Sequence, residues 1–325
     1  MPIRTALVLG ANGQDGSYLI DALLRRGVQV HGAGRQPVAR FPAPDLTYHA
    51  LDLTRTDAVG ALVEDLRPDA VFHVAAVHGA AGFRYEDHWL AAHQVNTLAA
   101  HAVLDVLRRR LPETRFVYAS SAKAFGAHPP EQVNEATPHR STCLYSITKN
   151  AATDVIEHYR RHHGVRASVA YLFNHESPRR GPEYFIPILV ARLAEALIDR
   201  SACGPIGTLG FWCDWGSAEE YMDLMVEVAA RTDATDACFA TGRTVWAEAL
   251  TESLFSRFGL RWQDHITETF ERAPARPPYH VDITRLSQAA GRPPHRRIED
   301  VCLDILRENH PSAWAVGGLD RAPPG

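Results

Sequence analysis

From residue 5 the chain runs TALVLGANGQDG, a short apolar stretch closed by a turn in which Gly10, Gly13 and Gly16 carry no side chain. Residues 5–9 read as a buried strand, and residues 17–26 have helical periodicity that stops at Gly27. A glycine triplet alone is only a tight turn. Placed between a strand and a helix, it lets backbone N–H groups and the positive end of the helix come against a pyrophosphate, which is the requirement of a dinucleotide site.

The pattern then repeats. Strands are expected at 28–33, 48–53, 70–75 and 116–120, with helical segments near 55–66 and 86–109. A helix over 145–163 ends at Gly164, and a strand at 166–173 leads into a polar segment, 174–181. Alternating strands and helices predict an α/β fold, a Rossmann-type doubly wound parallel sheet. From about 184 helices dominate, interrupted by loops at 201–216 and a Pro-rich stretch at 273–278. The expected organisation is a dinucleotide-binding domain over 1–180 carrying the catalytic site and a smaller, mainly helical substrate lobe over 181–315, whose strands can cross back. A small polar tail, 316–325, is expected to fray.

Composition narrows the partners. The 325 residues carry a formal net charge of -4, which leaves no basic footprint for nucleic acid. No stretch reaches the roughly 20 apolar residues needed to span a bilayer, the N-terminus has no export pattern, and the five cysteines form no close pair. A reduced, cytoplasmic setting is expected, with no metal. Of 34 basic residues all but two are arginine. The exceptions, Lys123 and Lys149, are the only basic side chains besides histidine that can give up a proton in a protein.

Tyr145 and Lys149 lie four apart on the predicted helix, so phenol and ammonium share a face. Ser120 and Ser121 end the fifth strand, where open α/β sheets place their ligands. A phenol with an ordinary pKa near 10 needs a nearby cation to act as base, and Lys149 is placed to supply that field. The phenolate would take a hydroxyl proton while hydride leaves the same carbon for a nicotinamide and Ser121 holds the oxygen. Asp52, after the third strand, either accepts from an adenine amino group or caps the next helix. No carboxylate ends the second strand; Arg35 there either pairs with a ribose 2′-phosphate or is a solvated loop charge, which favours NADP(H) while leaving NAD(H) open.

At this point the sequence resembles an extended short-chain dehydrogenase/reductase of the NAD-dependent epimerase/dehydratase group, and within it the GDP-mannose 4,6-dehydratase family. The resemblance rests on GANGQDGSYL at 10–19, VHG at 30–32, Asp52-Leu53, Ala75-Ala76, Tyr145 with Lys149, LFNHESPRRG at 172–181 and DWG at 214–216. It implies that Gly10, Gly13, Gln14, Asp15, Gly16, Asp52, Leu53, Ala75 and Ala76 line the cofactor with His175 and Arg180, and that Asn174 and Glu176 sit near the substrate. That family oxidises carbon 4 of a nucleotide-linked hexose, removes water across carbons 5 and 6, and returns the hydride at carbon 6.

The departures bear on the outcome. Where the family has Ser-Thr-Ser-Glu, this chain has Ser120-Ser121-Ala122-Lys123, so the elimination carboxylate is replaced by an ammonium. Lys123 is then a surface lysine, a ligand for an anionic or oxygen-rich substrate group, or a base whose pKa falls in a buried site beside Lys149. His78 replaces a serine after Ala75-Ala76, Cys213 replaces an arginine, and Arg276 either clamps a diphosphate or is a surface arginine. A nucleotide-sugar enzyme, with a GDP-linked sugar as partner, is expected to oxidise carbon 4 and give the hydride back, as a 4-epimerase or 4-oxidoreductase. A 4,6-dehydratase using Lys123 is the alternative, and a non-catalytic dinucleotide sensor is a reading of another class. A homodimer is expected, paired through helices flanking the site.

Overall fold

A computed structural model describes residues 2–80, 82–232, 234–274 and 276–318; most of the expected tail, from 319, lies outside the described residues. The first half runs β1 (Thr5–Leu9), α1 (Gln14–Leu24), β2 (Gln29–Gly34), β3 (Leu46–Ala50), α2 (Thr56–Leu66), β4 (Ala70–His73), α3 (Trp89–His93), α4 (Ala99–Arg110), β5 (Arg115–Ser121), β6 (Gln132–Val133), α5 (Leu144–His163) and β7 (Ala167–Leu172). The second half follows with β8 (Asn174–Glu176), α6 (Phe185–Ile198), β9 (Gly204–Ile206), β10 (Trp212–Ser217), α7 (Ala218–Arg231), β11 (Ala237–Phe239), β12 (Thr244–Trp246) and α8 (Ala247–Ser256). It closes with β13 (Ile266–Glu268), β14 (His280–Val281), α9 (Thr284–Ala290), α10 (Ile298–Asn309) and α11 (Pro311–Gly317).

Seven strands form one sheet in the order β11-β7-β5-β4-β1-β2-β3, all parallel. Both faces are covered. In β1, Leu7 and Leu9 enter the layer built with α2, α4 and α5, while Ala6 and Val8 enter the layer built with α1, α7 and α9. A strand buried on both sides reads as an unbroken apolar run for this reason. The order reverses between β1 and β4, and the crevice beyond their carboxyl ends is where such sheets bind ligands. A third core, with Leu189, Leu254 and Ile305 among its members, sits in the C-terminal lobe beside the small sheets β12-β10-β8, β13-β9 and β14-β6.

Several expected boundaries move for local reasons. The third strand ends at Ala50 because Asp52 accepts from the N–H and hydroxyl of Thr54, turning the chain out of the sheet. The segment 86–109 is not one helix. A 3-10 turn (Tyr85–His88) precedes α3, and a π turn (Gln94–Leu98) separates α3 from α4. The region 201–216, expected as loop, supplies β9 and most of β10. Strand β11, three residues long, was not foreseen, and it returns the second half of the chain to the edge of the main sheet.

One ion pair anchors that return. The Arg160 guanidinium at the end of α5 bonds both oxygens of Asp236 at 2.6 and 2.8 Å, and Asp236 also accepts from the Val169 N–H of β7 at 2.8 Å. Both side chains are largely covered, so removing one leaves an uncompensated charge. Asp236→Ala should lower stability by about 2 kcal/mol, read as a reduced midpoint in urea unfolding; an unchanged midpoint would show that β11 is held by its backbone pairing alone.

Candidate active site

The carboxyl ends of β1, β4, β5 and β7 open onto a cavity of about 810 Å³. At one end lies the glycine turn. A side chain at Gly16 would put its Cβ 2.1 Å from the Gly10 carbonyl oxygen, and Gly10 itself takes a φ of +105° with its missing Cβ 2.6 Å from the Ala75 nitrogen. The turn therefore packs α1 directly onto β1 and β4, leaving the first turn of α1 facing the cavity with no side chain at Gly13 between. An elongated cleft with a bare helix N-terminus is the shape and potential that a dinucleotide pyrophosphate requires.

Gly10, Gly13, Gln14, Asp15, Gly16, Arg35, Asp52, Leu53, Ala75, Ala76, His78, Ser121, Lys123, Tyr145, Lys149, Asn174, His175 and Arg180 all line this cavity. Two expected site residues do not. Glu176 is carried away by the pairing of β8 with β10, opposite Ser217, and faces a small separate pocket with Tyr18 and Arg296. Arg276 is exposed on the Pro-rich segment, whose backbone is fixed when the Trp212 indole N–H donates to the Arg276 carbonyl at 3.0 Å. The structure does not bring it to the cavity wall.

Lys149 is buried, and its Nζ donates to the Ala119 carbonyl at 2.7 Å while lying 4.7 Å from the Tyr118 ring centroid and 5.8 Å from that of Tyr145. Burial lowers its pKa to about 7, opposed by the charge of Asp15. Burial also pushes the Tyr145 phenol up, against a hydrogen bond with the Ser121 hydroxyl. Lys123 follows Ser121 on a 3-10 turn (Ala122–Phe125), its N–H donating to Ser121 Oγ at 3.2 Å, and its side chain is exposed to the cavity. The burial that the elimination-base reading of Lys123 depends on is absent.

A second set of contacts faces Tyr145. The His78 ring lies 4.7 Å from that of Tyr145, is 3.2 Å from the Tyr184 hydroxyl through Nδ1, and is nearly parallel to the Tyr184 ring. Arg180 stacks over Tyr184 at 3.6 Å. Desolvation, then the positive charges of Arg180, Lys149 and Lys123, lower His78 to about 4 and hold it neutral. Tyr184 was not singled out from the sequence, and neither was Asn96, whose amide accepts from the Val77 N–H at 2.8 Å and donates to Thr148 at 3.0 Å. The π turn carries Asn96 to this position, tying the loop after β4 to α5.

At the cofactor end, Asp15 and His175 form a buried pair, with Nε2 to Oδ1 at 2.9 Å, while His175 Nδ1 lies 2.6 Å from the Phe173 carbonyl. Both ring nitrogens face acceptors, which favours the imidazolium. Burial would raise Asp15, but His175, Gln14 and Arg180 outweigh it and bring the carboxyl to about 2. Burial would lower His175, and the charge and hydrogen bond of Asp15 turn the net shift upward. Asp52 is held down by the Thr54 N–H against burial, with Arg35 adding to the effect.

Together, the parallel sheet, the glycine turn and the Ser-Tyr-Lys set define a short-chain dehydrogenase/reductase of the epimerase/dehydratase type. The family model described as GDP-mannose 4,6 dehydratase matches residues 7–298. The chain belongs to that family. A GDP-mannose 4,6-dehydratase of Sordaria araneosa is 30% identical over 267 residues, 79% of this chain but only 48% of the relative, so the chain spans about half of that protein. GDP-mannose 4,6 dehydratase 1 of Arabidopsis thaliana is 30% identical over 284 residues, covering 82% of this chain and 78% of the relative. Among solved structures, UDP-glucose 4-epimerase of Thermotoga maritima with UDP-glucose superposes with a TM-score of 0.79 at 16% identity, over 95% of this chain and 99% of its own. WbmH of Bordetella bronchiseptica with NAD+ gives 0.75 at 23%, over 95% and 100%. RMD of Pseudomonas aeruginosa with NADPH gives 0.75 at 21%, over 96% and 99%. These likenesses establish the fold.

The Asp15–His175 pair makes a titration prediction. Because its folded pKa is raised, His175 stabilises the fold below its unfolded value near 6.5, and that contribution is lost as pH rises through the folded value. In Asp15→Asn, burial and the charge of Arg180 act to lower the ring, opposed only by its hydrogen bond to the Phe173 carbonyl. A proton NMR titration should place His175 above 6.5 in the parent and below it in the variant; a titration unmoved by the substitution would show that Asp15 does not set the charge of His175.

Proposed function

We propose that the chain is an NAD(P)-dependent enzyme that oxidises carbon 4 of a nucleotide-linked hexose to a transient ketone and then returns the hydride, acting as a 4-epimerase or 4-oxidoreductase. The observation that carries this reading is the distribution of acids. Asp15 and Asp52 are the only carboxylates lining the cavity among the described residues; Asp15 is paired with His175, and Asp52 lies beside Leu53 and Thr54, away from Tyr145. Removal of water across carbons 5 and 6 in this family is assigned to a glutamate at this strand end, and no carboxylate lines the wall beside Ser121. Returning hydride to carbon 4 needs only the Ser121, Tyr145 and Lys149 set.

Bound in the cleft, the oxidised nicotinamide would supply a hydride acceptor and a positive charge. Ser121 holds the carbon 4 oxygen through its hydroxyl. Tyr145 takes the proton from that oxygen as the carbonyl forms and gives it back to the same oxygen on reduction; inversion follows when the ketone has turned its other face to the hydride. Lys149, donating to Ala119 behind Tyr145, fixes a positive charge where a developing phenolate needs it. His78, neutral and bonded to Tyr184, lies where it can accept from or donate to a sugar hydroxyl. Asn174 and Arg180 complete this wall.

Arg35, with no acid on β2 beside it, suits a ribose 2′-phosphate and favours NADP(H) over NAD(H). The family supports a GDP-linked sugar. Trp89, Leu90 and Ile147 are exposed on α3 and α5, which pack together, and support pairing of two copies through these helices.

The test is product identity. Incubation with cofactor and a GDP-hexose, followed by mass spectrometry and NMR, should give unchanged mass with carbon 4 inverted, or a 4-keto product of two hydrogens less with stoichiometric cofactor reduction. Loss of one water would overturn the proposal in favour of a dehydratase, and cofactor binding without change in any sugar would favour a sensor. Tyr145→Phe should lower kcat by roughly 100- to 10,000-fold.

A further inference from the structure

Three basic side chains, Lys123, Lys149 and Arg180, line the Tyr145 end of the cavity, and they differ in how far they are matched. Lys123 extends from the turn directly after Ser121. Lys149 lies beneath Tyr145. Arg180 stacks on Tyr184, whose hydroxyl meets His78. They share one region of the wall: the His78 ring lies 4.7 Å from that of Tyr145, above Lys149, and meets the hydroxyl of Tyr184, on which Arg180 stacks, while Lys123 lines the same cavity. Each has a different degree of compensation. Lys149 is satisfied by a backbone carbonyl. Arg180 has Glu176 at 3.6 Å from behind, an ion pair without a hydrogen bond, and burial raises that carboxyl to about 7. Lys123 has no carboxylate partner among the described residues, and its ammonium is exposed to the cavity. A lysine in so arginine-rich a chain is a compact point charge rather than a planar fork, suited to a single anionic oxygen.

The position of Lys123 restricts where the matching anion can be. Ser121, two residues earlier, is the group that holds the oxygen on the reacting carbon in the reading above, on which this inference rests. In a hexose reacting at carbon 4, the diphosphate on carbon 1 lies across the ring. Carbons 3 and 5 are the neighbours, and of their substituents only the one on carbon 5 can carry a charge without changing the ring hydroxyls. An uncharged hydroxymethyl group there leaves the lysine without a counter-charge; a carboxylate pairs with it. A carboxylate at carbon 6 also has no hydroxyl to expel, so elimination across carbons 5 and 6 is chemically closed to such a substrate, in agreement with a cavity wall that carries no acid for that step.

We propose that the substrate is a nucleotide-linked hexuronic acid, whose carbon 6 carboxylate is received by Lys123 beside the Ser121, Tyr145 and Lys149 set. The reaction keeps its balance: the carbon 4 hydrogen leaves with its electron pair for the oxidised nicotinamide, the hydroxyl proton passes to Tyr145, the hydride returns to the other face of the ketone and the proton to the same oxygen, and the carboxylate is unchanged.

The full-length protein with NAD(H) or NADP(H) is assayed on two matched pairs, UDP-glucuronic acid against UDP-glucose and GDP-mannuronic acid against GDP-mannose. The readout is the ratio of kcat/KM, uronate over neutral hexose, within a pair. A ratio of at least about 30 is expected for one pair, the size of effect that a desolvated charge pair exerts. Lys123→Met should bring the ratio close to one, Lys123→Arg should restore most of it, and Lys123→Glu should invert it. A parent that prefers the neutral hexoses, or a ratio unmoved in Lys123→Met, overturns the inference while leaving the carbon 4 reading in place. No reaction at carbon 4 in any of the four sugars overturns both.

Discussion

The buried pairing of Asp15 with His175 joins two parts of the chain that are 160 positions apart. Asp15 lies in the first turn of α1, directly after the glycines, and His175 lies in β8, the first strand of the C-terminal lobe. Gln14 adds to the same junction, donating to the His175 carbonyl at 3.3 Å and accepting from the Ser177 hydroxyl at 2.8 Å. The glycine turn and the strand that carries Asn174 to the cavity wall are thereby locked in one register. A buried ion pair of this kind contributes little net stability relative to an apolar contact, but it specifies an arrangement strictly because breaking it leaves a buried charge.

The electrostatics of the cavity divide along its length. Near the glycine turn each acid is matched, Asp15 by His175 and Asp52 by Thr54 and Arg35. Near Tyr145 the balance is positive, and the proton-exchanging groups there are set by desolvation more than by charge. The opposite displacements of Tyr145 and Lys149, one upward and the other to about 7, arise from the same cause, since burial disfavours the charged form of each. Cofactor binding acts on a site already tuned to be neutral at the phenol, so a charge introduced by the oxidised ring acts with little screening.

The parts of this architecture that were legible in the sequence are those written in local chemistry. The apolar run before Gly10, the helix ending at Gly164 and the four-residue spacing of Tyr145 and Lys149 each encode a backbone state within a few residues, and each lies where expected. Strand β11 was hidden because three residues carry no period, and its place at the sheet edge is decided by Asp236 reaching Arg160, 76 positions away. Asn96 and Tyr184 act only through tertiary contacts, with the loop after β4 and with His78. Glu176 shows the reverse failure. Its motif matches the family's, but pairing of β8 with β10 turns it from the cavity.

The π turn at Gln94–Leu98 changes how the region beside the site can vary. One residue in excess of regular helix rotates everything before it by roughly 100° relative to everything after it. Helix α4 can thus hold Val103 and Leu107 in the core while α3, in a different phase, turns Trp89 and Leu90 outward. The two faces are uncoupled: substitutions on the outward helix can alter what docks there without disturbing the packing behind Asn96. The extra residue works as a joint between a buried face and an outward one.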